Sequence, residues 1–161
     1  MKSKRLLATA SVALVALARS VALAHGDTTP SHGAAHDAMA FGHPGVAAKA
    51  NRTIDVATSD DMRFTPSSFT VKRGDTIRFI VHNRGAVDHE LVIGTDQVLR
   101  EHAKEMRDMP GMEHRDANMV RVKPGGQGEI TWTFDHAGRF GVACLVPGHF
   151  EAGMKGSIAV R

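Results

Sequence analysis

The 161-residue chain is 42% hydrophobic and 23% charged, with 16 Gly, 10 His, 8 Met, one Trp, one Cys and no Tyr. That composition suits one domain with tails, and the lone Cys144 excludes an intramolecular disulfide, a CxxC redox pair and a cysteine-based zinc knuckle. The formal charge of +3 rests on residues 1–24, which hold Lys2, Lys4, Arg5 and Arg19 and no acid; the remainder carries 16 bases against 17 acids, so nucleic-acid binding is not expected.

Residues 1–24 read as a secretory signal: a basic start, an apolar run from Leu6 to Leu17, and Ala22-Leu23-Ala24 as a small-x-small cleavage site. Arg19 keeps the apolar stretch too short for a permanent anchor, so export to the periplasm without stable membrane insertion is expected. An exported thiol with no partner is open to oxidation and mispairing, and metal ligation would account for it.

Residues 25–51 are dominated by Gly, Ala, Pro, Thr and Ser without sustained period, and read as a flexible tail. His25, His32, His36, His43 and Met39 fall in it, either as solvated linker residues or as weak, multi-site metal donors. From residue 52 the texture changes to short alternating runs broken by Gly, Pro, Asn and Asp. Strands are predicted around Ile54–Val56, Phe69–Val71, Ile77–Val81, His89–Gly94, Met119–Lys123, Glu129–Phe134, Arg139–Cys144 and Lys155–Val160. About eight strands over 110 residues predict an all-β, two-sheet sandwich for residues 52–161.

One segment departs from the alternation. Between Gly94 and Met119, Leu99, Ala103 and Met106 recur at helical spacing, which predicts a short helix capped by Asp96 and stopped at Pro110-Gly111. Leu99 and Met106 fit the buried face of such a helix. Beyond it, Met109, Met112 and His114 lie in a polar stretch near Met106 and His102, where they are either soft donors for an auxiliary Cu(I) or gap-filling side chains.

The most specific pattern is Cys144-x4-His149-x4-Met154, a loop between two predicted strands that delivers a thiolate, an imidazole and a thioether. Two histidines and a cysteine with a weak methionine form a type 1 copper site. The missing histidine is best supplied by His89, which opens a strand after the polar turn Asn83–Asp88. His82, at a strand end, and His136, in a turn, have no partner at ligand spacing and read as structural.

These residues resemble the cupredoxin family, the small blue-copper proteins that include plastocyanin, azurin, pseudoazurin and auracyanin. The resemblance covers roughly residues 52–161. It rests on Phe64-Thr-Pro66, Val71-Lys-Arg-Gly74-Asp75-Thr-Ile77, His89, and the segment from Phe140 through Cys144 and Pro147-Gly148-His149 to Gly156. It implies an eight-stranded Greek-key sandwich with one copper at an end, held by His89, Cys144 and His149 with Met154 axial. Glu90 stands where many electron carriers of the family have Asn, and Asp88 flanks the histidine on its other side, so the resemblance fixes neither the reduction potential nor whether the site is blue or distorted toward green.

The His-rich tail and the Met/His-rich insertion are similar to a periplasmic copper-tolerance branch of cupredoxins. The expected role is therefore copper binding and sequestration, with further weakly bound copper, and with electron transfer between Cu(I) and Cu(II) as the alternative. A redox or copper-trafficking protein would be the partner. Multicopper oxidases and copper nitrite reductases place their catalytic centres between several cupredoxin domains. One domain with four ligands leaves no obvious open position, so an enzyme is not expected.

Overall fold

The computed structural model describes residues 40–109 and 116–161. The expected signal segment, His25, His32, His36, Met39, Met112 and His114 lie outside the described residues. The elements are β1 (His43–Pro44), β2 (Arg52–Ser59), β3 (Arg63–Thr65), β4 (Ser68–Val71), β5 (Thr76–Asn83), β6 (His89–Gly94), helix α1 (Asp96–Asp108), β7 (Met119–Val122), β8 (Gln127–Thr133), β9 (Gly138–Ala143) and β10 (Lys155–Val160). They form two sheets of five strands, ordered β1-β8-β5-β2-β3 and β4-β10-β9-β6-β7. β2 runs parallel to β5 and β10 parallel to β4, while the other pairs are antiparallel.

The core follows from the two-residue period of the strands. On β5, Ile77, Phe79 and Val81 are buried and alternate with half-exposed neighbours; Ile54 and Val56 on β2, and Ile130 and Trp132 on β8, do the same. Leu91, Ile93, Val142, Ile158 and Val160 of the second sheet meet them between the layers. β6 is buried along its whole length, because its outer face is covered too. There Val92, Ala143 and Leu145 pack against Leu99, Ala103 and Met106 of α1, so the helix serves the sheet as a lid over its outer surface.

Three sequence expectations are revised. Ten strands form among the described residues where about eight were expected, the additions being the short β1 and β3. The ordered domain also begins before residue 52. Phe41 is fully buried and stacked on Trp132 at 5.0 Å between ring centroids, and His43–Pro44 pairs with Thr133 and Trp132 of β8. A lone aromatic in a Gly- and Ala-rich stretch carries no period, so only the tertiary pairing reveals it. Finally, Thr95 rather than Asp96 caps α1: its hydroxyl accepts from the Val98 amide at 3.2 Å, and Asp96 sits in the first turn.

Candidate metal centre

The sheet of β6, β9 and β10 brings the site together. β9 runs antiparallel to both β6 and β10, so the end of β9 lies beside the middle of β6 and the start of β10. Cys144 follows directly on β9. The loop after it is closed by backbone hydrogen bonds: the Cys144 amide donates to the Met154 carbonyl at 3.1 Å, and the Met154 amide donates to the His149 carbonyl at 3.0 Å. Gly148, at φ +88°, supplies the left-handed turn residue that sets His149 back toward Cys144.

His89 reaches the same point from β6. The Cys144 Sγ lies 3.3 Å from His149 Nδ1 and 4.0 Å from His89 Nδ1. All three donor atoms lie within 4.8 Å of one another, and among the described residues they are the one such group of His, Cys, Asp or Glu side chains. The three atoms are thus close enough together that a single ion could be held among them. Two imidazole nitrogens and one thiolate sulfur are the donor chemistry of type 1 copper, so the residues fit the group. Met154 is fully buried in the main core at the end of the same loop.

The electrostatics follow from burial. His89 and Cys144 are fully buried and His149 partly so. Desolvation pushes the Cys144 thiol up to about 12, against which the Glu90 and Val146 amides act in the opposite sense. The metal-free protein therefore keeps this group as a neutral thiol at neutral pH, and metal entry must expel its proton. The Glu90 amide lies 3.2 Å from Sγ, placed to donate to the thiolate once it forms. Desolvation, with the neighbouring His89, holds His149 below the ordinary imidazole range, so its nitrogens stay neutral and able to ligate.

Around this group lie charged side chains. Glu90, buried, accepts from Arg121 Nη1 at 3.4 Å; Arg121 Nε and Lys123 Nζ both donate to Asp88, at 3.0 and 2.8 Å. The Lys123 bond, followed by that of Arg121, holds Asp88 below the usual carboxylate range. Two further residues shape the site and carry no sequence signal. Asn83, buried, donates to the Val87 and Val122 carbonyls at 2.7 and 2.9 Å and accepts from Gly85 at 2.8 Å, which shapes the loop leading to His89. Asp60, in the turn after β2, meets His89 itself at 3.1 Å. They lie 6 and 29 residues from His89 and match no ligand spacing, so folding alone discloses them.

The remaining candidates lie elsewhere. His82 pairs with Asp55 at 3.0 Å on the outer side of β5. His43 is exposed and 3.6 Å from Asp135. Met106 and His102 are buried on α1, whereas Met109, at its end, is exposed.

A family model described as copper binding proteins, plastocyanin/azurin family, matches residues 50–161. The chain belongs to the plastocyanin/azurin family of copper-binding proteins. This cupredoxin is similar along nearly its whole length to the copper-resistant cuproprotein CopI of Rubrivivax gelatinosus, with 49% identity covering 98% of each chain. The protein of the same name from Pseudomonas aeruginosa is 36% identical over 86% of this chain and 89% of its own. Among solved structures, the auracyanin of Roseiflexus castenholzii superposes with a TM-score of 0.60 at 28% identity, covering 70% of this cupredoxin and 98% of that chain. The fold is thus the Greek-key sandwich of the family, and the cofactor is a type 1 copper. The matched relatives are named as copper proteins, not for a reaction they catalyse. Among the described residues no helix is long and apolar enough to cross a membrane.

Proposed function

We propose that this cupredoxin is exported to the periplasm and binds copper there as part of copper tolerance. His89, Cys144 and His149 hold the copper and Met154 supplies the fourth, weaker donor. The observation that carries this reading is the buried His-Cys-His donor group in a chain 49% identical to a copper-resistant cuproprotein. Bound there, copper supplies a one-electron Cu(I)/Cu(II) couple. The protein's own part is to strip water from the ion, to offer a thiolate and two neutral imidazoles, and to steady the sulfur with the Glu90 amide.

Electron transfer is the second reading, favoured by two donors, His89 on β6 and Cys144 directly after β9, that the pairing of these strands holds in place, which leaves little room for rearrangement between oxidation states. A Cu(II) titration, followed together by visible absorption and metal stoichiometry, separates the two. An intense thiolate-to-copper band followed by uptake of further copper, lost on deleting residues 25–39, which spares the buried Phe41, supports sequestration. Saturation at one equivalent supports a carrier, and absence of the band overturns the assignment of the site.

A further inference from the structure

The imidazole of His89 uses both of its nitrogens. Nδ1 faces Cys144 Sγ at 4.0 Å, while Nε2 lies 3.1 Å from Oδ1 of Asp60. The ring is fully buried; the carboxylate is 42% exposed and closes over it from the turn after β2. Asp60 is itself held in place, because its Oδ2 accepts from the Ala86 amide at 2.7 Å. Space for it is also provided. A Cβ on Gly85 would stand 1.9 Å from Asp60 Oδ1 and 2.7 Å from its Cγ, so the carboxylate occupies the room that a side chain would take.

We propose that Asp60 is a positioning residue of the copper centre, fixing the orientation and tautomer of His89 and making its Nδ1 a stronger donor. This rests on the assignment of His89 as a copper ligand. With Nδ1 given to the metal, the proton resides on Nε2 and is donated to Asp60. The anionic acceptor pulls on that proton and raises the electron density of the ring, which favours the more highly charged Cu(II) over Cu(I). The arrangement joins the first sheet, through the turn after β2, to the second, through β6. The buried ligand is thereby tied to a residue 29 positions away at the surface.

The test uses the exported chain purified with copper, as wild type, Asp60→Asn, Asp60→Ala and Gly85→Ala. The last keeps the charge but pushes the carboxylate off its seat. Three readouts are taken: the thiolate-to-copper absorption spectrum, the reduction potential, and Cu(II) and Cu(I) affinities by chelator competition. Melting of the metal-free forms is the control for folding. Cu(II) affinity is expected to fall about 10- to 100-fold, with a smaller loss for Cu(I). Each tenfold difference between the two losses raises the potential by ~59 mV. Gly85→Ala should change the potential in the same direction by less.

Variants that keep the wild-type spectrum and potential overturn the proposal. So does a loss of affinity that merely follows the melting temperature while spectrum and potential stay fixed, which would make Asp60 purely structural. A wild-type chain without the thiolate band is a different failure, since it overturns the type 1 copper site on which the role of Asp60 rests.

Discussion

A single thiol stands at the centre of the candidate copper site. Cys144 is fully buried, its proton is held by desolvation, and its sulfur lies within reach of two imidazoles. Cys144→Ser leaves an oxygen of similar size but lacks the soft donor, so the variant is expected to show no intense visible band on adding Cu(II); absorption spectroscopy checks this, and a coloured variant would place the thiol outside the site. At the same scale, Asp75 accepts from the Lys72 amide at 2.8 Å and from Asn51 Nδ2 at 2.7 Å. The Lys72 bond, then that of Asn51, holds its carboxyl below the usual range. The stability it contributes is therefore present above its unfolded pKa of about 3.9 and is lost as pH falls through the lower folded value. Asp75→Asn should lower the melting temperature at pH 7 and cease to do so near pH 2, as paired thermal melts at the two pH values would show.

At the scale of elements, α1 covers the outer face of β6, with Leu99, Ala103 and Met106 against Val92, Ala143 and Leu145. Its end is also tied to the loop between β9 and β10, where Arg107 donates to Glu151. Thr95→Ala removes the hydroxyl that caps the helix. The expected cost is about 1 kcal/mol in denaturant unfolding, with the copper band unchanged, because the proposed ligands lie on β6 and in the loop after β9. The segment before β2 matters more. Phe41 stacks on Trp132 and lies 5.4 Å from Phe140, so a chain that starts at residue 52 loses an aromatic core residue that one starting at residue 40 retains. Differential denaturation of the two truncations should separate them by about 3–5 kcal/mol, the cost of removing a buried phenylalanine.

For the whole molecule, the donors come from places far apart in sequence, and the folded state alone unites them. A metal that binds this arrangement and not the unfolded chain must stabilise the fold, by about 4 kcal/mol at free copper 1,000-fold above the dissociation constant. Chelating the copper should lower the melting temperature of the wild type more than that of Cys144→Ser, which keeps the two imidazoles but lacks the thiolate, as calorimetry would show. The alternating strands, the helix and the Cys144-x4-His149-x4-Met154 spacing are legible in the sequence, because strand period, helix period and ligand spacing are local properties of a chain. His89 was legible as the strand-opening histidine after a turn. Tertiary structure alone decided the rest: Phe41 joining the core across β8, Thr95 rather than Asp96 taking the cap, and Asp60 and Asn83 arriving beside the loop of His89. Those contacts depend on which strands pair and in what register, and a hydrogen bond across 29 residues leaves no period for a sequence to display.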